Sequence, residues 1–240
     1  KNYNHRLDEL IKYNLYLGFD AIVIFDNSKN NKNSINEENE KYENIKLITN
    51  KYKKKIYVID FPQSPLNNYH WNSIQRISFN IGTNLFFKKC KYITLIDADE
   101  FIFLPNNNHI KNITLKYDNS LRISSKLLTN KHNNNNINNN ILSICKYIGK
   151  NHYTKVMLRT NKIGNCYGAI KNVNFFIISP HKYPSDIKIS KKEIMYFHCW
   201  VNKRHKHNKE MEYFNLNKIF KIGKIKKILK RARRNNIHKS

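Results

Sequence analysis

Residues 92–101 of this chain read YITLIDADEF, an apolar run that leads directly into three carboxylates. The run at 92–96 has the length and composition of a strand that is buried on both faces. Asp97, Asp99 and Glu100 follow at once, so they would stand at the carboxyl end of that strand. Open parallel sheets bind their ligands beyond the carboxyl ends of their strands. The stretch therefore predicts an α/β fold with a polar site at this strand end.

Four segments before this stretch show the patterns of buried strands or amphipathic helices: strands at 21–25 and 56–59, and helices over 6–17 and 72–88. The alternation of strand and helix predicts βαβ units with right-handed crossovers. We therefore expect a mostly parallel central sheet that is flanked by helices. Asp26 follows the first of these strands and marks a second strand end where a ligand would bind.

The second half of the chain has a weaker pattern. Apolar runs predict strands at 155–159, 173–178 and 194–200, and the asparagine-rich tract 131–140 predicts a surface insertion. From about residue 205, apolar residues recur at three- and four-residue intervals among many basic ones. This spacing predicts an amphipathic C-terminal helix with a basic outer face. We expect an α/β domain over 1–204 and a basic helical segment over 205–240.

The formal net charge is +27, and much of it lies in residues 203–240. Such a charge favours a polyanionic partner, an acidic membrane surface or a phosphate-rich substrate. A composition rich in Lys, Asn and Ile is equally typical of an AT-rich genome.

The four cysteines have no zinc-site spacing, which favours a reduced, intracellular setting. The sequence has no signal peptide and no apolar run of about 20 residues, so we expect a cytoplasmic protein.

The acidic motif carries the strongest chemical signal. Carboxylates this close repel one another unless a cation is present. Asp97 and Asp99, with one residue between them, suit a hard divalent ion such as Mg²⁺ or Mn²⁺, which prefers oxygen ligands. Such an ion neutralises a diphosphate leaving group. A solvated acidic turn without a ligand is the plainer alternative, and the flanking apolar runs argue against it.

The motif also belongs to a longer pattern. The segments LDELI at 7–11, LGFD at 17–20 and IFDNS at 24–28 resemble the opening of family-2-like and family-92-like glycosyltransferases. Gln75, followed by residues 92–101, is similar to their "Q…WxxxxDxDEF" pattern. The resemblance covers about residues 1–105, and only fragments of it lie beyond. Because the pieces have the correct order and spacing, the resemblance is more specific than any one of them.

The chain departs from that pattern at two positions. Asn14 stands where those enzymes often have histidine, and Ile11 stands near their usual tryptophan. Lys1-Asn2 resembles the "KNE" that follows their first strand, which predicts that this strand precedes Lys1. The asparagine-rich composition is similar to that of glycosyltransferases from large DNA viruses.

The resemblance implies a GT-A fold, which is Rossmann-like, and transfer of a sugar from a nucleotide-diphosphate donor, with UDP-sugar favoured. The implied acceptor is a glycan or a protein, and the implied cofactor is Mn²⁺ or Mg²⁺. The metal ligands would be Asp97, Asp99 and His198, although a core histidine is the alternative for His198. The residues expected at the donor are Asp26, Asn27, Gln75, Asp97, Lys155, His181 and Arg204. Of these, Lys155 and Arg204 are named for their positive charge, and a loop histidine is the alternative for His181.

An inverting transferase needs a general base near the acceptor hydroxyl, whereas a retaining one does not. Asp186 and Glu193 are candidates for this base because they lie after the metal motif, where acceptor loops tend to fall. Nothing else in the sequence distinguishes either residue as a general base.

Three other functions compete with this interpretation. A nucleic-acid-binding protein would explain the charge, but the sequence has no recognition motif for nucleic acid and this function leaves the acidic motif unexplained. A metal-dependent nucleotidyl- or phosphotransferase would explain the motif but not the pattern at 17–28. An inactive scaffold of the same fold would have no affinity for metal. The basic C-terminal helix either binds an anionic membrane surface or packs on the catalytic domain.

Overall fold

The computed structural model describes residues 4–26, 45–52, 54–61, 71–86, 89–106, 109–129, 147–161, 187–200 and 212–213. Three of the sequence predictions lie outside these residues: the insertion at 131–140, the strand at 173–178 and nearly all of the C-terminal helix over 205–240.

The described residues form four helices and nine strands. In chain order they are α1 (Asn4–Leu17), β1 (Ile22–Asp26), α2 (Ile45–Asn50), β2 (Ile56–Asp60), α3 (Trp71–Phe86), β3 (Tyr92–Thr94), β4 (Glu100–Phe103), α4 (Ile110–Lys116), β5 (Leu121–Thr129), β6 (Tyr147–Arg159), β7 (Ile187–Lys188), β8 (Met195–Trp200) and β9 (Glu212–Tyr213). The mixed α/β class is confirmed. None of the described helices is long and apolar enough to cross a membrane.

The first two strands form a βαβ unit through α2, a helix that the sequence did not predict. Strands β1 and β2 pair in parallel, from Ile22 opposite Ile56 to Asp26 opposite Asp60, and α2 lies between them in the chain. The two aspartates therefore end neighbouring strands at the same edge of this sheet. The predicted helices over 6–17 and 72–88 are also confirmed, as α1 and α3.

The larger sheet does not have the predicted, mostly parallel arrangement. Its strand order is β3-β6-β5-β8-β4, with β7 beside β5 and β9 beside β6. Of the six strand pairings described in it, four are antiparallel. Strand β3, which the sequence predicted beside β1 and β2, pairs instead with β6. The cause is the apolar end of β6, where Val156, Met157 and Leu158 are fully buried and Ile93 lies opposite Leu158.

The connection between β3 and β4 crosses the face of this sheet. The two strands lie at opposite ends of the strand order, yet only residues 95–99 join them. Four strand spacings of about 4.8 Å would separate them by roughly 19 Å in a flat sheet. Because the N–H of Glu100 bonds to the carbonyl of Asp97 in a turn, the connection reaches about 17 Å at most. Residues 95–99 therefore cross the sheet at nearly full extension, and the acidic turn contacts its middle strands through Lys155 of β6 and His198 of β8.

Helix α1 fixes the strand that leaves this turn. The buried Tyr13 donates its hydroxyl to the carbonyl of Ile102 at 2.5 Å, and its ring meets the ring of Phe101 edge-on, with the centroids 5.5 Å apart. Leu10 and Ile11 belong to the same buried cluster as these β4 residues. The apolar face of α1 and the strand β4 therefore share one core.

Two parts of the chain differ from the sequence predictions or went unpredicted. Helix α4 and strand β5 had no prediction, because the apolar residues of 110–129 follow no single period. Residues 212–213 fall within the predicted C-terminal helix but form strand β9, which pairs with Tyr147 and Ile148 of β6. At these two residues the helix prediction is wrong, because backbone bonds to β6 replace those of a helix.

Gly18 ends α1 in a conformation that other residues rarely adopt. Its φ is +94°, its N–H donates to the carbonyl of Leu15 at 3.1 Å, and the N–H of Phe19 donates to that of Asn14 at 3.2 Å. These two bonds form a Schellman motif. A Cβ at this position would also collide with the ring of His109, the N-cap residue of α4. The glycine is therefore required both by its backbone angle and by close packing.

We expect Gly18→Ala to lower the free energy of unfolding by about 1–3 kcal/mol, because alanine is strained at this φ and its methyl group displaces His109. In a His109→Ser background the ring is absent and serine still caps α4, so the same substitution costs less. Urea denaturation of the four proteins measures both costs. Equal costs in the two backgrounds would contradict the contact between Gly18 and His109.

Candidate functional site

The acidic motif forms a closed turn between β3 and β4. The N–H of Glu100 donates to the carbonyl of Asp97 at 3.1 Å, and the N–H of Asp97 donates to the Oε2 of Glu100 at 2.8 Å. The side chain of Glu100 thus bonds back to the start of its own turn. This pair of bonds fixes the backbone that carries Asp97 and Asp99.

Lys155, from strand β6, is the counterion of this turn. Its Nζ lies 2.8 Å from the Oδ2 of Asp97 and 3.0 Å from the Oε2 of Glu100. Lys155 and Glu100 are each 1% exposed, so this ion pair is withdrawn from water. The ring of Phe79 on α3 lies 6.0 Å from the same ammonium group. The sequence predicted Lys155 as a contact of the diphosphate, but in the structure its charge is directed at the turn.

The pKa values of this pair follow from burial and charge. Burial first, and then the charge of Asp97, raise the pKa of Glu100 to about 7, although Lys155 opposes both effects. Burial acts against the charge of Lys155, but Glu100 and Asp97 outweigh it and raise the lysine pKa above its ordinary value. Lys155 is therefore charged, and Glu100 is a carboxyl group that accepts a proton near neutral pH.

Helix α3 holds Asp97 from the opposite side. The Nε2 of Gln75 donates to the Oδ1 of Asp97, while Lys155 donates to the Oδ2. A carboxylate oxygen has two acceptor positions, so each of these oxygens keeps one for a further ligand. The side chain of Asp97 is 31% exposed and can meet such a ligand from solvent.

Asp99 meets a histidine from strand β8. The Nε2 of His198 lies 3.5 Å from the Oδ2 of Asp99, and His198 is the backbone partner of Glu100 in the β4–β8 pairing. Burial alone would lower the pKa of His198, but the carboxylates, Asp99 first, raise it above its ordinary value. Oxygen and imidazole nitrogen are both ligands for divalent ions such as Mn²⁺. The structure thus brings together two of the three residues that the sequence predicted as metal ligands.

The described residues do not contain a complete metal site by themselves. No group of three or more His, Cys, Asp or Glu side chains is placed there to hold an ion. Asp97, the third predicted ligand, is bonded by Gln75 and Lys155. An ion at Asp99 and His198 would therefore need further ligands from a bound molecule or from water.

Two other predicted site residues lie in the described part of the chain. Asp26 is buried at the carboxyl end of β1, beside Asp60. Glu193 lies before the start of β8, whereas His198 lies near its other end, so Glu193 is apart from the acidic turn. It pairs with Lys116 and accepts from the hydroxyl of Tyr117 at 2.5 Å. These two bonds lower the pKa of Glu193, which makes it a weaker base.

Four predicted residues lie outside the described residues: Asn27, His181, Asp186 and Arg204. The sequence did not predict that Glu100 and Lys155 form a buried pair. The available signal was weak, namely one lysine directly before the apolar residues 156–158.

No protein-family model matches this chain, and a search of the curated proteins also finds no match. The resemblance to glycosyltransferases therefore stays a prediction that depends on the residues of the chain itself.

We expect Lys155→Met to lower the free energy of unfolding at neutral pH by about 1–3 kcal/mol, because Glu100 loses its hydrogen-bonding cation and has to take up a proton to stay buried. Lys111→Met is the matched control, since it removes an exposed lysine that pairs with Asp20 at 3.0 Å. The control is expected to cost less than about 1 kcal/mol. Urea denaturation measures both, and equal small losses would contradict a buried ion pair at Lys155.

Proposed function

We propose that this chain is a metal-dependent glycosyltransferase that uses a nucleotide-diphosphate sugar, with UDP as the favoured nucleotide. The observation that carries the proposal is the approach of His198 on β8 to within 3.5 Å of Asp99 on the acidic turn. The sequence analysis named Asp99 from the acidic motif and His198 from the resemblance to glycosyltransferases, and the two residues are distant from each other in the chain. A solvated acidic turn without a function gives no reason for a histidine to lie there.

The donor set fits a cation that binds together with a diphosphate. Asp99 and His198 would hold the ion, and Asp97 has one acceptor position left on each oxygen. Mg²⁺ in such sites is typically bound by one or two carboxylates, substrate phosphates and water. When bound, the ion neutralises the charge that develops on the leaving diphosphate. The shortage of protein ligands is thus compatible with a nucleotide-diphosphate ligand.

The remaining residues have roles that follow from where they lie. Asp26, at the carboxyl end of β1, is our candidate for a contact with the ribose or the base. The parallel β1–α2–β2 unit supports a GT-A architecture, whereas the largely antiparallel second sheet gives no support for it. Lys155 is buried against the turn, so the positive charge that meets the diphosphate is assigned to other groups, with Arg204 as the candidate.

Of the two residues proposed as general base, Glu193 is held at the protein surface by Lys116 and Tyr117, away from the turn. Asp186 is the candidate that remains if the enzyme inverts the sugar configuration, and none is required if it retains it. The proposed acceptor is a glycan or a protein.

We expect UDP to bind to the protein only with Mn²⁺ present, and we expect Asp99→Asn to abolish this binding because it removes a charged metal ligand. Asp118→Asn is the matched control, since Asp118 is exposed and bonds to Arg159 at 2.7 Å. Isothermal titration calorimetry with UDP and GDP, with and without Mn²⁺, measures these affinities.

The proposal would be wrong if the folded protein bound neither nucleotide with Mn²⁺. Transfer of phosphate or of a nucleotide, rather than release of UDP from a UDP-sugar, would favour the nucleotidyl- or phosphotransferase alternative.

We expect His198→Gln to weaken Mn²⁺-dependent UDP binding by about tenfold or more, the size of loss that a weakened metal shell produces. Raising the Mn²⁺ concentration should restore part of this affinity, because the lost interaction is with the metal. Titration of UDP at limiting and at saturating Mn²⁺ measures both effects. An unchanged affinity at limiting Mn²⁺ would make His198 a core histidine that pairs with Asp99 and binds no metal.

A further inference from the structure

The burial of Lys155 needs a reason other than stability. Its side chain and that of Glu100 are each 2% exposed, yet the carboxylate of Asp97 that it also contacts is 31% exposed. Replacing a buried ion pair by apolar residues of similar size is often neutral or stabilising. Apolar residues at both positions of the pair, next to Val156 and Met157, would therefore serve a core equally well. Unlike methionine, lysine can donate a hydrogen bond to the partly exposed carboxylate of Asp97.

We infer that Lys155 is a positioning residue, a buried cation that holds the carboxylate of Asp97 in place for a nucleotide–metal ligand. The inference rests on the proposed function for the identity of that ligand. Lys155 does not touch the ligand itself. It acts through Asp97, and Glu100 keeps the ammonium group in place from the buried side.

The contacts at Asp97 explain how this positioning works. Lys155 bonds to its Oδ2 and Gln75 to its Oδ1, so one oxygen is fixed from β6 and the other from α3. Two donors on two oxygens fix the rotation of a carboxylate, whereas one donor leaves it free to turn. The positive charge also lets Asp97 and Glu100 lie close together before any metal arrives. The site is thereby organised before the ligand binds, which reduces the conformational entropy that the side chains lose on binding.

The test compares Glu100→Gln with the double variant Lys155→Met/Glu100→Gln. Glutamine still accepts from the N–H of Asp97, and the double variant carries neither charge of the buried pair. Both are therefore expected to fold. Since both lack the Glu100 charge, the difference between them measures what Lys155 contributes. Lys111→Met is the control for the loss of a lysine elsewhere.

We expect the double variant to bind UDP in the presence of Mn²⁺ at least tenfold more weakly than Glu100→Gln does, by isothermal titration calorimetry. Lys111→Met is expected to bind like the unmodified protein. Equal affinities of Glu100→Gln and the folded double variant would overturn the inference. If the unmodified protein binds no UDP with Mn²⁺, the proposed function fails and the second measurement decides the inference.

The second measurement needs no ligand. The side-chain NH₂ group of Gln75 donates to Asp97, so its NMR signals report where that carboxylate lies. We expect these signals to move in the double variant relative to Glu100→Gln, and to stay in place in Lys111→Met. Unmoved signals would overturn the inference whatever the protein binds.

If the double variant does not fold, Lys155→Leu/Glu100→Gln replaces it in the titration, because leucine likewise fills the buried position without a donor for Asp97. Positioning of Asp97 then predicts a loss of UDP affinity of at least tenfold, and an unchanged affinity would overturn the inference.

Discussion

Charged groups that leave water must be paired, and the acidic turn carries three carboxylates onto the face of a sheet. Lys155 lies 2.8 Å from Asp97 and 3.0 Å from Glu100, and His198 lies 3.5 Å from Asp99. Each carboxylate therefore has a basic neighbour. A rearrangement that separated Lys155 from Glu100 would leave a buried charge uncompensated, which is costly. This pairing constrains the turn to the observed arrangement.

The same pairing links the site to the whole of the larger sheet. Lys155 comes from β6 and His198 from β8, and strand β5 lies between these two. Both residues reach the turn because residues 95–99 cross the sheet instead of following one strand to its neighbour. The site thus depends on the order of the strands and not only on the local motif.

This dependence explains what the sequence predicted and what it did not. Periodicity located α1, β1, β2 and α3, because each is determined mainly by residues within it. The sequence also marked Asp99 and His198, although only the structure brings them together. It did not predict that β3 pairs with β6, or that Lys155 is buried. Both depend on partners more than fifty positions away in the chain, and an apolar run gives no information about its partner strand.

Two glutamates show why residue type alone does not assign a role. Glu193 is bonded by Lys116 and Tyr117, and its pKa falls, whereas burial raises the pKa of Glu100 to about 7. A general base needs both proton affinity and access to the acceptor hydroxyl. Glu193 lacks the first, and Glu100, at 1% exposure, lacks the second. Both glutamates therefore hold the fold, and neither combines the proton affinity and the access that a general base needs.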